Sequence, residues 1–368
     1  MEADQSSAIV RRRLRDQRLA GAPFEAPEDV VGWLGAVQAQ DFGPAKWAVG
    51  RRMKGATDAQ LDRAFDAGTI LRTHVLRPTW HFVLPADIRW LLTATAPRVQ
   101  ARSASRYRQL GLDEATLERS EALLAGALRG GNLLTRAEVA AMLAGAGVAV
   151  DGQRLPHMLS NAELNAVICS GPRRGKQHTY ALLEERAPQA RDLPRDEALA
   201  ELARRYFTSH GPATAKDFAS WASLTLAEVT ISLEAAGPRL RREIIDETLF
   251  WSAANGSAPA LRSPTVHLLQ CYDEYLMGYT ESKRVLARPG ATWSPASRPV
   301  SNLVVLLDGR LAGFWRRTLK KDSVVVEVTL LEPFEAAQLR ALGAEAARYG
   351  KFLGLAATVH VAVPGVTP

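Results

Sequence analysis

The sequence predicts an α+β protein with three tandem winged-helix modules followed by a β-rich C-terminal α/β subdomain. Three observations lead to this fold class. Helix-start signals recur along the first two-thirds of the chain, one helical segment is repeated, and the pattern becomes strand-like from about residue 262. The sequence contains no low-complexity linker, so we expect the modules to pack into one continuous body.

Four segments carry the capping-box pattern, in which a threonine hydroxyl at the N-cap precedes an amide or carboxylate three residues later. They start at Thr57, Thr135, Thr214 and Thr225, and the third is weaker because Asp217 has a short side chain. Each predicts the start of a helix. TRAEVAAML from Thr135 aligns with TAKDFASWA from Thr214, and an amphipathic stretch precedes each of them. We therefore interpret the two segments as copies of one helical module.

Each copy continues into a predicted two-stranded hairpin, which completes a winged helix. In the second copy, a further helix starts at Thr225, and RLRREIID and ETLFWSA then flank the polar corner Asp246-Glu247. In the first copy, AVICSG and QHTYALLEE flank a basic corner at residues 172–176.

The N-terminal part of the chain repeats this order of elements. The segment ILRTHVLRPTWHFVLP has two apolar halves on either side of Arg77-Pro78, as in a hairpin. Helices are predicted before it at about residues 8–20, 27–39 and 57–67. We therefore expect a third winged helix at the N terminus.

From about residue 262 the sequence predicts mainly strands. VHLLQCYDEYLMGY, SNLVVLLDGRLAGFWRR and SVVVEVTLLEP are β-rich, Asp308-Gly309 is a two-residue hairpin signal, and Lys320 to Asp322 forms the next corner. A helix at about 334–349 and the strand LGLAATVHVAV complete this subdomain. The predicted units are 1–112, 113–190, 191–261 and 262–368.

The composition is that of a globular protein: 47% of the 368 residues are hydrophobic and 23% are charged. This excludes a disordered tail or a disulfide scaffold. No apolar stretch is long enough for a membrane helix, and the N terminus lacks a secretory signal, so we expect a cytoplasmic protein. Cys169 and Cys271 are expected to be buried, reduced thiols, with neither a metal site nor a cofactor implied.

The charge balance favours a polyphosphate partner. The net charge is +7, carried by 38 arginines and 8 lysines, although an Ala- and Arg-rich coding bias contributes to it. Arg173, Arg174 and Lys176 at the basic corner are candidates for phosphate contacts or for insertion into a minor groove. Such a loop tip is just as often only solvated. Residues 11–15 carry four arginines, which either bind DNA or only coat the first helix.

The segment PEDVVGWLGAVQAQDFGP, from residue 27 to residue 44, carries the candidate site. Its apolar stripe stops at Val37. Where the chain then becomes extended, Gln38 and Gln40 would face the same way and could converge beside one point. Amides both donate and accept hydrogen bonds, so such a pair can orient a water and stabilise a developing dipole without titrating. The alternative is a polar helix end with ordinary capping.

Five segments together resemble the AlkZ-type winged-helix DNA glycosylases. These segments are QRLA from Gln17, WLGAVQAQDFGPAKWAVGRR, RTHVLRPTWHFV, GPATAKDFASW and VVLLDGRLAGFWRR, so the resemblance extends over essentially the whole chain. The family is bacterial, removes N7-alkylated guanines and unhooks interstrand crosslinks. The resemblance implies one curved body and places a Gln-apolar-Gln motif implicated in catalysis on Gln38-Ala39-Gln40. A sister branch has Asp at the second Gln, so Gln40 favours the crosslink-unhooking branch.

The resemblance also implies a monofunctional glycosylase that acts as a monomer on alkylated or crosslinked guanine in double-stranded DNA at the nucleoid. Which of the two glutamines would fix the water is left open. Asp41 is either a base or electrostatic stabiliser, or a group that satisfies a backbone donor at the helix end. His81 either contacts phosphate or supports the site. Trp80 packs either against a base or in the core.

The main alternative is a non-catalytic winged-helix DNA-binding protein or transcriptional regulator. Such regulators usually pair across a two-fold axis, and the sequence shows no dimerisation heptads, which favours the enzyme. A glycosidase pair at Asp273-Glu274 is disfavoured, because adjacent residues on a strand face opposite ways.

Overall fold

The predicted fold of helices and strands is confirmed by the structure, a computed structural model that describes residues 2–254, 262–288 and 303–362. The order of its elements is consistent with three winged-helix modules. In each module a helix leads into two further helices and a β-hairpin. In the first two modules a short strand after the first helix also joins the hairpin. Residue 261, where the sequence predicts a unit boundary, lies outside the described residues.

The first module follows the N-terminal helix α1 (Glu2–Asp16). Its elements are α2 (Pro27–Leu34), β1 (Val37–Gln38), α3 (Phe42–Gly50), α4 (Asp58–Ala67), β2 (Leu71–Val75) and β3 (Arg77–Val83). The strands form an antiparallel sheet in the order β1-β3-β2. The edge strand β1 therefore pairs with β3, and this pairing holds the QAQ segment against the hairpin.

One prediction for this module was wrong, and one of its helices was not predicted. Helix α2 ends at Leu34 rather than near residue 39, because Gly35 adopts a φ of 82°, which favours glycine. The helix that was not predicted is α3, which begins at Phe42. Pro44 lies in the first turn of α3, where a backbone N–H has no partner within the helix. The QAQ segment is consequently a short extended connection between two helices.

The second module begins after a long helix, α5 (Ile88–Gln109), which the sequence did not predict and which contains Pro97. The elements of the module are α6 (Glu114–Leu128), β4 (Leu134–Thr135), α7 (Arg136–Gly145), α8 (Arg154–Leu164), β5 (Ile168–Ser170) and β6 (Thr179–Leu182). The sheet order β4-β6-β5 repeats that of the first module. A short helix, α9 (Leu183–Arg186), follows.

The third module contains α10 (Arg195–Ser209), α11 (Ala215–Ala222), α12 (Leu226–Ala236), β7 (Leu240–Ile245) and β8 (Thr248–Ala253). Here a single bridge between Ala213 and Trp251 replaces the first strand. Helices α7 and α11, which carry the repeated segment, occupy the same place in their modules. Complete capping boxes start α7, α11 and α12, at Thr135, Thr214 and Thr225. The predicted repeat and helix starts are thus confirmed.

The C-terminal part contains one five-stranded sheet in the order β13-β12-β11-β10-β9. Its elements are β9 (Val266–Leu269), α13 (Glu274–Met277), β10 (Leu303–Leu307), β11 (Arg310–Leu319), β12 (Ser323–Leu330), α14 (Ala336–Leu353) and β13 (Ala356–Ala362). The predicted turn at Asp308-Gly309 is confirmed, with φ values of 49° and 81°. The strand predicted through residue 279 ends at Leu269, and α13 follows it. Val363, in the predicted last strand, lies outside the described residues.

Buried polar contacts join the N-terminal part of the chain to α13. The Arg52 guanidinium, which is inaccessible to solvent, donates to both carboxylate oxygens of Asp273 at 2.8 and 2.9 Å and to Gln17 Oε1 at 3.0 Å. Gln17 Nε2 in turn donates to the backbone oxygen of Glu274 at 3.1 Å. The QRLA segment therefore has a structural role, because it ties α1 to α3 and α13.

The other sequence expectations have mixed outcomes. Arg12 and Arg13 are buried. Arg12 binds Ser252 and Arg13 binds the Pro212 carbonyl, so a DNA-binding role is wrong for these two arginines.

Cys169 and Cys271 are buried free thiols. Within the described ranges, no helix is long and apolar enough to cross a membrane. In the same ranges, no group of three or more His, Cys, Asp or Glu residues could hold a metal ion.

We predict that Asp273→Asn destabilises the protein by about 3–5 kcal/mol, because it leaves the buried Arg52 charge without its partner. Urea unfolding followed by circular dichroism measures the change. The matched control is Glu281→Gln, which breaks an exposed pair with Lys216 and should change stability far less. Equal losses of unfolding free energy in the two variants would contradict the importance of the buried Arg52–Asp273 pair.

Candidate functional site

The QAQ segment runs from strand β1 into a bend at Gln40. Val37 and Ala39 are fully buried in the hydrophobic core that contains Phe82. The backbone N–H of Ala39 donates to the Trp80 carbonyl at 2.7 Å, which extends the pairing with β3 beyond β1. Since side chains alternate along a strand, Gln38 faces away from this core.

Gln38 is anchored and nearly buried, with 3% of its surface exposed. Its Oε1 accepts a hydrogen bond from Arg77 Nη2 at 2.9 Å, while Arg77 Nη1 donates to the Trp221 carbonyl at 2.7 Å. A guanidinium can only donate, so this contact fixes which end of the amide is the oxygen. The NH₂ group of Gln38 is then the end that Arg77 leaves free.

A buried carboxylate, that of Glu274, binds the backbone of this strand. Glu274 Oε1 accepts the backbone N–H of Gln38 at 2.9 Å, and its Oε2 accepts the indole N–H of Trp221 at 2.7 Å. Burial alone would raise the pKa of Glu274, but the His210 ring, with Nε2 3.5 Å from Glu274 Oε2, and the positive charge of Arg77 together lower this pKa to about 2. Glu274 is therefore ionised at neutral pH and complements the charge of Arg77.

His81 lies opposite Gln38 in the sheet and is fully buried. Burial, reinforced by the nearby Arg77 charge, lowers the pKa of His81 to about 3. In this neutral ring, Nδ1–H donates to the Thr79 carbonyl at 2.9 Å and Nε2 accepts from Arg77 Nη2 at 3.1 Å. The structure thus places His81 as a support for Arg77.

Gln40 lies at the edge of the site and is half-buried. Its Oε1 accepts the backbone N–H of Trp80 at 3.4 Å, which is a long contact, and its backbone oxygen accepts from Arg72 Nη2 at 3.2 Å. The Arg72 guanidinium also stacks 4.3 Å from the centre of a Trp80 ring. Asp41 is exposed at the N-cap of α3, but its side chain forms no capping hydrogen bond there. The expected satisfaction of a backbone donor is therefore not seen at this helix start.

Comparison with known proteins identifies the family. A family model for the DNA glycosylase AlkZ-like proteins matches residues 31–352. The chain belongs to the AlkZ-like DNA glycosylase family. The Streptomyces sahachiroi DNA glycosylase AlkZ has a similar fold, with a TM-score of 0.77 and 23% identity over 98% of this chain and 100% of that chain. A search of the curated proteins gives no match.

Membership of the AlkZ-like family makes the chain a DNA glycosylase, a hydrolase of DNA repair that acts on the bond between a base and its sugar. DNA is therefore its substrate. The predicted relationship to the AlkZ-type glycosylases is confirmed. Within the described residues, the QAQ segment, Arg77 and the buried Glu274 form a polar site that links the first and third modules to α13 of this AlkZ-like chain.

The basic corner of this AlkZ-like chain is partly engaged in ion pairs. Arg173 contacts Asp66 through two nitrogens, at 3.0 and 3.1 Å, and Asp62 at 3.0 Å, so it joins the second module to α4. Arg174 pairs with Glu138 at 2.6 Å and remains exposed. Lys176 is exposed at the corner. A role of Arg173, Arg174 and Lys176 in DNA binding stays a prediction, and the geometry favours the two exposed residues for it.

Several residues of the site were missed by sequence reasoning. Trp221, His210 and Glu274 lie far from the QAQ segment in the chain, and no local pattern connects them with it. Arg77 is part of the RTHVLRPTWHFV segment, but was read only as a turn residue. The Asp273-Glu274 pair was considered on the wrong secondary structure, because Asp273 is the N-cap of α13. As expected, the two carboxylates do not act together, since Asp273 binds Arg52 and Glu274 faces Trp221.

We predict that stability falls as the pH is lowered from about 6.5 to 5, because buried histidines, including His81, His210 and His267, stay neutral in the folded state. Each of these pKa values is lowered on folding, so the unfolded chain binds protons that the folded chain does not. One such group changes stability by at most about 1.4 kcal/mol per pH unit. Urea unfolding at several pH values gives the free energy of unfolding as a function of pH. The slope of this dependence should be shallower for His81→Gln than for the parent protein.

The exposed His360 provides the matched control, since His360→Gln should leave the slope of the parent protein unchanged. The comparison uses the slope of the free energy of unfolding against pH. The absolute free energy is not compared, because His81→Gln also removes packing contacts of the buried ring. An identical slope for His81→Gln and the parent protein would contradict a neutral His81.

Proposed function

We propose that this AlkZ-like glycosylase hydrolyses the N-glycosidic bond of N7-alkylated guanine in duplex DNA, including guanines joined by an interstrand crosslink. The observation that carries the proposal is the chemistry of the groups around Gln38. Arg77 is cationic, His81 is neutral with a pKa of about 3, and Glu274 is ionised with a pKa of about 2. None of these three groups can protonate a leaving base at neutral pH.

Such a site suits a substrate that needs no acid. An ordinary glycoside departs as an alkoxide, which requires a carboxylic acid with a raised pKa. Alkylation at N7 instead makes the guanine ring cationic, so the bond between N9 and C1′ breaks without protonation. The enzyme then has to position water and stabilise an oxocarbenium-like sugar. Two neutral amides, such as those of Gln38 and Gln40, suit that work because neither titrates.

The proposed reaction is a simple hydrolysis. The electron pair of the C1′–N9 bond stays with the base, which leaves as neutral N7-alkylguanine. The oxygen of a water molecule bonds to C1′, and one proton of that water is released. Asp41, the exposed carboxylate that follows Gln40, is our candidate to receive this proton or to stabilise the developing positive charge on the sugar. The product is an abasic site in an unbroken strand, as for a monofunctional glycosylase.

The different burial of the two glutamines suggests different roles. Gln38 is 3% exposed, so little of its side chain is open to a ligand. Gln40 is half-buried and lies at the edge of the site, where it can face the sugar or the edge of the base. We therefore assign the positioning of water to Gln38 and contact with the nucleoside to Gln40.

We propose that duplex DNA lies along the basic surface of a monomer, with Arg174 and Lys176 close to phosphates. Three modules in one chain can follow a duplex without a second subunit. A crosslinked guanine is tied to the opposite strand and cannot easily rotate by about 180° into a closed pocket. A site at the edge of a strand suits such a lesion better. The proposed location in the cell is the nucleoid in the cytoplasm.

We predict that the protein releases N7-methylguanine from duplex DNA, and that Gln38→Ala and Gln40→Ala each slow the release by about 100-fold or more. The physical reason is the loss of a fixed donor that orients water or the sugar. Treatment with alkali cleaves the strand at each abasic site, and a gel then measures the rate. Strand cleavage without alkali would contradict the monofunctional reaction.

The matched control is Gln109→Ala, which removes an exposed amide at the end of α5 and should keep full activity. Binding of each variant to undamaged duplex should be unchanged, which separates catalysis from affinity. Tight binding by the parent protein without any release of the base would contradict the proposal and favour a non-catalytic DNA-binding protein.

A further inference from the structure

The loop between β9 and α13, residues 270–273, leaves one tyrosine partly open to solvent close to the QAQ segment. Every residue from 266 to 276 is buried except Tyr272, which is half-buried. Glu274, two residues further along the chain, accepts the backbone N–H of Gln38 at 2.9 Å. The proposed hydrolysis assigns no role to Tyr272, although the loop that carries it is tied to the candidate site.

The backbone around Tyr272 is held in place by buried contacts. Before the loop, Trp47 Nε1 of α3 donates to the Leu268 carbonyl at 2.7 Å. Within the loop, the backbone N–H of Tyr272 donates to Gln270 Oε1 at 2.9 Å, and Asp273 is held by its buried ion pair. A side chain on a backbone that is already ordered loses less freedom when it binds a ligand.

Tyr272 is an uncharged ring near a carboxylate. Burial raises the pKa of the Tyr272 phenol, with smaller contributions from Cys271 and from the negative charge of Asp41, so the phenol is neutral at pH 7. Charges are screened over roughly 10 Å in salt solution, so the effect of Asp41 indicates that its carboxylate lies near the phenol. Asp41 is exposed and directly follows Gln40. The ring, the carboxylate and Gln40 thus belong to one part of the surface.

This combination of groups suits a flat cation. The face of an aromatic ring carries partial negative charge and attracts a cation that lies over it. A base alkylated at N7 is a flat ring with a positive charge, whereas an undamaged guanine is neutral. A backbone phosphate fits less well, because the negative charge of Asp41 would repel it. The chemistry around Tyr272 therefore favours the damaged base over the DNA backbone.

We propose that the ring of Tyr272 packs against the alkylated base and recognises its positive charge. Tyr272 is then a specificity-determining residue, because it distinguishes a cationic base from a neutral base of the same shape. This inference rests on the proposed function, since the alkylated base must lie beside Gln40.

The test compares the binding of two duplexes that differ in the charge of one base. The first contains N7-methylguanine and the second contains 7-deaza-7-methylguanine, which has nearly the same shape and no charge. Both carry the base on a 2′-fluoroarabinose sugar, so that neither is hydrolysed during the measurement. Fluorescence anisotropy gives the two Kd values, and their ratio is the preference for the cationic base.

We expect Tyr272→Leu to reduce this preference by about tenfold relative to the parent protein, equivalent to about 1.4 kcal/mol. Tyr272→Phe keeps an aromatic face and should retain the preference, while Tyr272→Trp offers a stronger face and should retain or increase it. The attraction between Asp41 and the cationic base is common to all variants and cancels in the comparison.

The matched control is Phe334→Leu, which removes a half-buried aromatic ring between β12 and α14 and should keep the preference. Circular dichroism verifies that each variant is folded. Tyr272→Phe and Tyr272→Trp alone still test the inference if Tyr272→Leu does not fold, because a loss of preference in both would contradict it.

The other outcomes overturn the inference and differ in meaning. Equal weakening of both duplexes by Tyr272→Leu would show packing against a base without recognition of charge. A loss of preference in Tyr272→Phe as large as in Tyr272→Leu would assign the effect to the hydroxyl group. An unchanged preference in Tyr272→Leu, with release of N7-methylguanine by the parent protein, would remove Tyr272 from specificity and leave the proposed function intact. Absence of that release would remove the proposed function as well.

Discussion

The hydrogen bond from Arg77 to Gln38 is the contact on which the rest of the site depends. Arg77 is a cation largely shielded from solvent, and a shielded charge persists in a protein only if it is paired and hydrogen-bonded. It has Gln38 Oε1, the Trp221 carbonyl and the His81 ring as partners, with the ionised Glu274 nearby as the opposite charge. Because these partners come from the first module, the third module and α13, the site forms only when the modules are packed together.

In the function that we propose, uncharged groups form the catalytic site and charged groups hold them in place. Arg77 binds the side-chain oxygen of Gln38, and Glu274 accepts the backbone N–H of the same residue. We place the nucleoside beside the amides of Gln38 and Gln40. A cationic base needs no acid for its departure, so an enzyme for N7-alkylguanine can rely on position and on fixed dipoles.

Much of the fold could be predicted because its signals are local. A capping box fixes a helix start within four residues, and Asp308-Gly309 specifies a hairpin turn by itself. The extended conformation after Val37 was also visible as the end of an apolar stripe. Helix α3 was not predicted, and its N-cap residue Asp41 makes no side-chain capping hydrogen bond that would mark its start.

The site could be predicted only in part, because its remaining groups depend on tertiary contacts. Gln38 and Gln40 were found through a short motif and a family resemblance. Glu274 reaches Gln38, and Trp221 reaches Glu274, only after the third module and α13 have packed against the first module. Long-range burial also explains why Arg12 and Arg13, which looked like surface cations in the sequence, are structural residues. Charge runs in a sequence do not reveal which members will find buried partners.

The most direct test of the central contact is a double-mutant cycle with Arg77→Met, Gln38→Ala and the combined variant, measured as single-turnover release of N7-methylguanine. If Arg77 acts through Gln38, the combined variant should be no slower than Gln38→Ala alone. Thermal unfolding and duplex binding confirm that each variant is folded, and Arg77→Lys tests whether charge without the planar fork is sufficient. Independent, multiplying effects of the two substitutions would contradict the role assigned to the Arg77–Gln38 hydrogen bond.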